Sequence, residues 1–299
     1  MSQTLGIIGL GRVGLPAAKA WLTNGYKVCG YDPNPAAMKE FASAGGVPVA
    51  TPREVARRAP VVIVLVLDDE QVNEVFSGKE GILKEEIPGA IVICMSTIRR
   101  DTVVSVAGLC EGKKIGFIDC PFTGGPARIP SGNLTLIAAG LPRVLASVKT
   151  TLEVIGKIVH AGDEPGQGQA VKHCNQLLVG ATHAATMEVI TLARRLGLDP
   201  SLVRSVIADG IAGSDYFRLL SESVLKKTPS PGRLGQMCKD MEIVTRTAEA
   251  AGMDACVASA ANRYFTEAKK QGMSDREGAD LIDIVEQHSG SLHKDKKHV

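Results

Sequence analysis

The chain has 299 residues, about twice the commonest domain size, so two domains are expected. Hydrophobic residues make up 44% and charged residues 22%, which excludes disorder as the main state, because such a chain buries enough apolar surface to offset its ordering entropy. A net charge of +2 and only 4% aromatic residues argue against nucleic-acid and membrane-surface partners. The longest unbroken apolar run, residues 61–67, falls far short of the about 20 residues that cross a bilayer.

Met1-Ser2-Gln3-Thr4 carries no basic patch and no apolar stretch, so no secretion signal is expected there. From there to about residue 160, short β-rich runs alternate with helical stretches. Strands are expected at 5–8, 27–31, 61–67, 90–95, 114–119, 134–138 and 157–160, and helices at 15–24, 35–44 and 143–154, among others. The runs at 61 and 90 are apolar at every position, as suits parallel strands covered on both faces. The alternation predicts an α/β domain of Rossmann type, a doubly wound sheet, over residues 1–163. Turn formers cluster at Gly162-Asp163-Glu164-Pro165-Gly166-Gln167-Gly168 and mark a boundary. Beyond it the strand pattern vanishes. An all-α C-terminal domain is expected over 164–299, with helices at 169–196, 200–208, 234–251, 255–271 and 279–288. The first should stop at a glycine cap, Gly197. Residues 291–299 read as a short basic tail, and its His293 and His298 as frayed chain rather than metal ligands.

The seven cysteines are odd in number and form no Cys-x-x-Cys pair, which predicts a reducing, cytoplasmic compartment with neither disulfides nor zinc.

Gly9-Leu10-Gly11-Arg12-Val13-Gly14 follows the first strand and opens the first helix. In that context Gly-x-Gly-x-x-Gly reads as a dinucleotide cradle. Gly9 permits the tight turn, Gly11 lets backbone approach a pyrophosphate, and Gly14 lets the helix pack on the sheet. The helix N-terminus adds N–H groups and positive dipole. Asp32 ends the second strand 18 residues beyond Gly14, the place of an acid that binds the adenosine ribose and repels a 2′-phosphate. Pro33 follows it rather than an arginine, so NAD is expected rather than NADP.

The second motif is Gly166-x-Gly168-x-x-x-Lys172-x-x-Asn175-Gln176. Helical spacing puts Asn175 and Gln176 one turn from Lys172, and amides beside a lysine suit recognition of hydroxyls and carbonyls. A solvated lysine has the same spacing, and both readings stay open at this point. Val171, His173 and Cys174 are expected to be packing residues.

Five motifs in register make the chain resemble the β-hydroxyacid dehydrogenase family, whose members include 3-hydroxyisobutyrate dehydrogenase and tartronate semialdehyde reductase. They are the glycine loop, Met95-Ser96-Thr97-Ile98, Asp119-Cys120-Pro121-Phe122-Thr123-Gly124-Gly125, the Lys172 motif and Lys239-Asp240. The resemblance implies an NAD-dependent oxidoreductase of small 3-hydroxy carboxylates that works as a homodimer or homotetramer. It implies that Lys172 is the general acid/base and that Thr123, Gly124 and Gly125 hold the substrate carboxylate, with Asn175 and Gln176 nearby. Thr97, Lys239, Val66 and Leu67 would border the cofactor, with Gly9, Leu10, Gly11, Arg12, Val13 and Asp32. A hydroxyl followed by glycine N–H groups makes a small anion-binding concavity. Lysine at its reference pKa of about 10.4 is a poor base near neutrality, and desolvation and a nearby cationic nicotinamide would both lower it.

The departures gather around the substrate. Thr123 stands where the family has Ser, Gln176 where it often has a second Asn, Gly232 where it often has Phe, and Arg128-Ile129 where a Gly-Ala pair is usual. Two alternatives share the fold. Imine reductases typically lack the lysine, and a non-catalytic dinucleotide-binding module would have let the lysine and carboxylate motifs decay. A 6-phosphogluconate dehydrogenase would need a His-Asn pair at 175–176 and a longer helical region.

Overall fold

The computed structural model describes residues 4–294, and the chain divides into two compact units between Lys172 and His173.

In the first unit the elements run β1 (Thr4–Ile8), α1 (Gly14–Thr23), β2 (Lys27–Tyr31), α2 (Pro35–Ser43), β3 (Val47–Pro48), α3 (Pro52–Arg58), β4 (Val61–Val64) and α4 (Asp69–Ser77). They continue with β5 (Ile91–Cys94), α5 (Arg100–Gly112), β6 (Gly116–Asp119), β7 (Phe122–Thr123), β8 (Leu134–Ala139), α6 (Pro142–Glu153) and β9 (Gly156–Gly162). The strands form one sheet in the order β3-β2-β1-β4-β5-β6-β8-β7, with β9 on β8. Pairing is parallel from β3 through β6, while β8 runs antiparallel to both β6 and β7. The chain winds outward from β1 to β3, then returns to start β4 on the other side of β1. That reversal opens a crevice at the carboxyl ends of β1 and β4, where doubly wound sheets bind their ligands.

The apolar run of β4 shows why the sheet is buried on both sides. Val61 and Ile63 pack with Trp21 and Phe41 on one face, and Val62 and Val64 with Val55, Phe76 and Val103 on the other. The strand is shorter than the apolar run. Leu65 still donates to Ile8 O, but the Val66 N–H turns to Ser96 Oγ at 3.0 Å and the Leu67 N–H to Gln71 Oε1 at 2.9 Å. Asp68 then caps α4 through the Gln71 N–H. The two-residue strands β3 and β7 carry too little periodicity to be read from sequence.

Helix α7 (Gln167–Arg195) starts in the first unit. Its last turn carries Arg194 and Arg195, and Gly197 follows at φ +69°, the left-handed cap expected there. The second unit also holds α8 (Pro200–Asp209), α9 (Asp215–Lys226), α10 (Leu234–Ala250), α11 (Cys256–Lys270) and α12 (Leu281–Lys294). Met187, Leu220, Leu234, Met241, Phe265, Leu281 and Ile284 form its core. Helix α9 was not expected, although Ser214 caps it and Phe217, Leu220 and Val224 repeat at helical spacing. Helix α12 runs to Lys294, into the expected tail; residues 295–299, with His298, lie outside the described residues.

Candidate active site

The glycine loop leaves β1 at the crevice. Gly9 has φ +98°, and a Cβ there would sit 2.3 Å from the Leu65 carbonyl oxygen. A Cβ on Gly14 would lie 1.9 Å from Gly9 O, so the first turn of α1 closes directly against the loop backbone. A Cβ on Gly11 would meet no heavy atom within 4 Å. Gly9 and Gly14 are therefore demanded by the fold itself, whereas Gly11 leaves open a face that an approaching group could use. The residues fit a pyrophosphate: the N-cap residue of α1, Val13, places no side-chain acceptor on the first turn, which opens at the loop. Asp32 joins this loop. Its Oδ2 accepts the Leu10 N–H at 2.7 Å and its Oδ1 the Asn34 N–H at 2.8 Å, and each oxygen retains acceptor capacity for a ribose hydroxyl. Arg12 is exposed and Val13 half-buried on the same turn.

The neighbouring rim comes from the ends of β4 and β5. Val66 is half-buried, its N–H held by Ser96, and Leu67 is exposed. Thr97 is half-buried between two residues whose backbone is fixed by a single side chain, that of Gln169.

Thr123 ends β7, opposite Thr135 of β8. Gly124 and Gly125 follow at φ +121° and +77°, conformations that a side chain would strain. A short 3₁₀ turn, Pro126–Arg128, comes next, and a Cβ on Gly124 would lie 3.1 Å from Arg128 Cδ. The Arg128 stem thus folds back beside Gly124 while the residue as a whole stays exposed.

Lys172 is only 7% exposed and is the last residue of the first unit. Sequence reasoning missed how its turn is held. Asp119, at the end of β6, accepts the Gly166 N–H at 2.9 Å and the Gln169 N–H at 3.0 Å on Oδ2, and the Gln169 amide at 2.9 Å on Oδ1. Burial pushes the Asp119 carboxyl up to about 6, and its amide donors offset part of that rise. The available signal was a lone acid closing a buried strand. Val171 and Cys174, expected to pack, are exposed. His173 is buried, with Nδ1 3.1 Å from Thr247 Oγ1.

In the second unit the other expected residues form one chain of contacts. Asn175 Nδ2 donates to Gln176 Oε1 at 2.9 Å, Gln176 Nε2 donates to Asp240 Oδ2 at 2.6 Å, and Lys239 Nζ pairs with Asp240 Oδ1 at 3.0 Å. Gly232 accepts the Gly278 N–H at 2.7 Å on its carbonyl. The seven cysteines are all free. Among the described residues no cluster of three or more His, Cys, Asp or Glu could hold a metal ion, and no helix is long and apolar enough to cross a membrane.

Comparison with known proteins decides the family. Residues 4–162 match the family described as the NAD binding domain of 6-phosphogluconate dehydrogenase. Residues 166–285 match that described as NAD-binding of NADP-dependent 3-hydroxyisobutyrate dehydrogenase. An L-threonate dehydrogenase of Cupriavidus necator is 31% identical over 286 residues, 95% of this chain and 96% of that protein. The chain belongs to the β-hydroxyacid dehydrogenase family. A solved 3-hydroxyisobutyrate dehydrogenase from Salmonella typhimurium has a TM-score of 0.87 at 28% identity, covering 95% of this chain and 100% of the other. This member of the family is an NAD(P)-dependent hydroxyacid dehydrogenase acting on small molecules. An imine reductase from Pseudomonas sp. shares the fold at a TM-score of 0.65 and 17% identity, with 95% and 100% coverage, and is more distant.

Proposed function

We propose that the protein oxidises a small 3-hydroxy carboxylate with NAD, with Lys172 as the general acid/base. The observation that carries this reading is the burial of Lys172 in a turn anchored to the strand that leads into Thr123-Gly124-Gly125. The Thr123 hydroxyl and the glycine N–H groups receive the substrate carboxylate. The neutral amine of Lys172 takes the proton of the substrate hydroxyl as the carbon–hydrogen bond on the same carbon breaks, and the ammonium returns that proton in the reverse direction. NAD, when bound, supplies the ring that accepts the hydride. Gly9, Leu10, Gly11, Arg12, Val13 and Asp32 hold the pyrophosphate and ribose, with Val66, Leu67 and Thr97 on the rim. Asn175 and Gln176 serve the substrate hydroxyls, and Lys239 borders the cofactor.

Within this class we favour a four-carbon sugar acid such as threonate. The full-length likeness to an L-threonate dehydrogenase supports it, as do the Arg128 stem beside Gly124 and the missing ring at Gly232. Residues 1–163 act as the cofactor domain and 164–299 as the substrate and oligomerisation domain. Exposed Leu178 and Leu192 on α7 suit a homodimer or homotetramer, and seven free cysteines suit the cytoplasm. The test is a screen of hydroxy acids with NAD, followed by NADH absorbance. NADH formation with threonate or 3-hydroxyisobutyrate is expected, and activity on neither class of 3-hydroxy acid would overturn the reading.

A further inference from the structure

We infer that Gln169 is a positioning residue that fixes the Thr97 loop and the Lys172 turn as one piece, with Asp119 as its anchor. The inference rests on the roles proposed above for Lys172 and Thr97.

The Gln169 amide embraces Thr97. Its Oε1 accepts the Ile98 N–H at 3.1 Å, and its Nε2 donates to Ser96 O at 3.0 Å and to Asp119 Oδ1 at 2.9 Å. Both amide hydrogens and the carbonyl are therefore engaged, and reversing the amide would set donor against donor at Ile98. Gln169 and Asp119 are both fully buried. The second Asp119 oxygen takes two N–H groups at the start of α7, those of Gly166 and Gln169, which the helix itself cannot satisfy. The cap is a residue brought in from the sheet rather than a neighbour in sequence. Gly168 makes the approach possible, since a Cβ there would lie 2.8 Å from Ile137 O and 2.9 Å from Asp119 Oδ2. Ser96 passes the same chain of bonds on to Val66. Lys172 is three residues beyond Gln169 on the helix, so a turn that shifts carries the amine with it.

A network that only stabilises the fold would lower the melting temperature and leave kinetics alone; one that positions these groups splits two constants. Gln169→Met keeps the length of the side chain and removes every bond of the amide, releasing the Thr97 loop from the Lys172 turn, while the Gly166 and Gln169 backbone N–H groups keep Asp119 Oδ2. Its Kd for NAD, measured by calorimetry, should rise about tenfold, and kcat should fall about 10²-fold, as for a misplacement of about 1 Å. Asp119→Asn sets an amide against the Gln169 amide but leaves the bonds that flank Thr97. It should lose kcat by a similar factor and hold its Kd for NAD within about threefold. A folded Gln169→Met with wild-type kcat and NAD affinity overturns the inference, whatever its melting temperature. Should that variant fail to fold, Asp119→Asn decides alone: lost kcat with unchanged NAD affinity supports positioning, and wild-type kcat overturns it. Lys172→Ala, assayed beside them, separates the two ideas. Normal turnover there would remove the proton-transfer role, while the NAD affinity of Gln169→Met would still test the hold on the Thr97 loop.

Discussion

Asp32 accepts the Leu10 backbone N–H at 2.7 Å, so the acid at the end of β2 grips the middle of the glycine loop. A carboxylate in that place welcomes ribose hydroxyls and repels a 2′-phosphate. The ratio of kcat/KM for NAD over NADP should therefore exceed about tenfold, a discrimination of about 1.4 kcal/mol. Asp32→Asn, which removes the charge and keeps an acceptor, should narrow it. Equal values for the two cofactors in the wild-type protein would show that Asp32 is not at the ribose.

The glycines of the loop separate fold from binding. Gly11→Ala meets no neighbour within 4 Å and should leave stability within about 0.5 kcal/mol of wild type, while raising the Kd for NAD by about tenfold or more. Gly14→Ala would drive its methyl into the Gly9 carbonyl and should lower the melting temperature as well. Thermal melts paired with NAD calorimetry check both. A Gly11→Ala protein that binds NAD normally would contradict the cradle.

The same contrast explains what the sequence could reveal. The continuous apolar run at 61–67 announced a strand buried on both faces, and the glycine loop announced itself through its place between strand and helix. The end of β4 at Val64 was hidden, because the turn is made by Ser96 and Gln71, residues distant in sequence or on the next helix. Thr97 and Lys172 could be named from motifs. The Asp119–Gln169 pair that joins their surroundings could not, because its partners lie 50 residues apart and meet only through the sheet. In α9 the signal existed, but a Ser214 cap and three spaced apolar residues are weak beside the Ala- and Leu-rich helices around them.

Two buried groups give opposite pH responses. His183 lies in the second unit with Nε2 2.9 Å from Gly278 O and Nδ1 3.0 Å from the Tyr216 hydroxyl, and burial pushes its pKa down to about 4. Its folded value is below the ordinary 6.5, so its contribution is complete above pH 6.5 and is lost as pH falls through about 4. Asp119 is raised from 3.8 to about 6, so its contribution is greatest below pH 3.8 and declines as pH rises through about 6. Each is on the order of 3 kcal/mol over its window. Histidine ring titration by NMR should place His183 near 4, and a value at or above 6.5 would contradict its buried, neutral state. Urea midpoints of Asp119→Asn against pH should lack the decline between pH 4 and 6 that the wild-type carboxyl contributes.

Arg128 tests the choice of substrate. With its stem against Gly124, its guanidinium can reach distal hydroxyls or a second anionic group, each charged hydrogen bond being worth about 1.5–3 kcal/mol. Arg128→Ala should lose kcat/KM about tenfold or more on threonate-like sugar acids and little on 3-hydroxyisobutyrate. Small, equal effects on both would remove Arg128 from the pocket.

The kcat of Lys172→Ala, measured alongside its NAD affinity, shows whether Lys172 moves the substrate proton. General acid–base groups contribute about 10²–10⁴-fold, so turnover should fall by that factor while NAD binds almost as in the wild-type protein. A variant that binds NAD normally and keeps about a tenth or more of wild-type kcat, a loss below that range, would show that Lys172 does not move the proton.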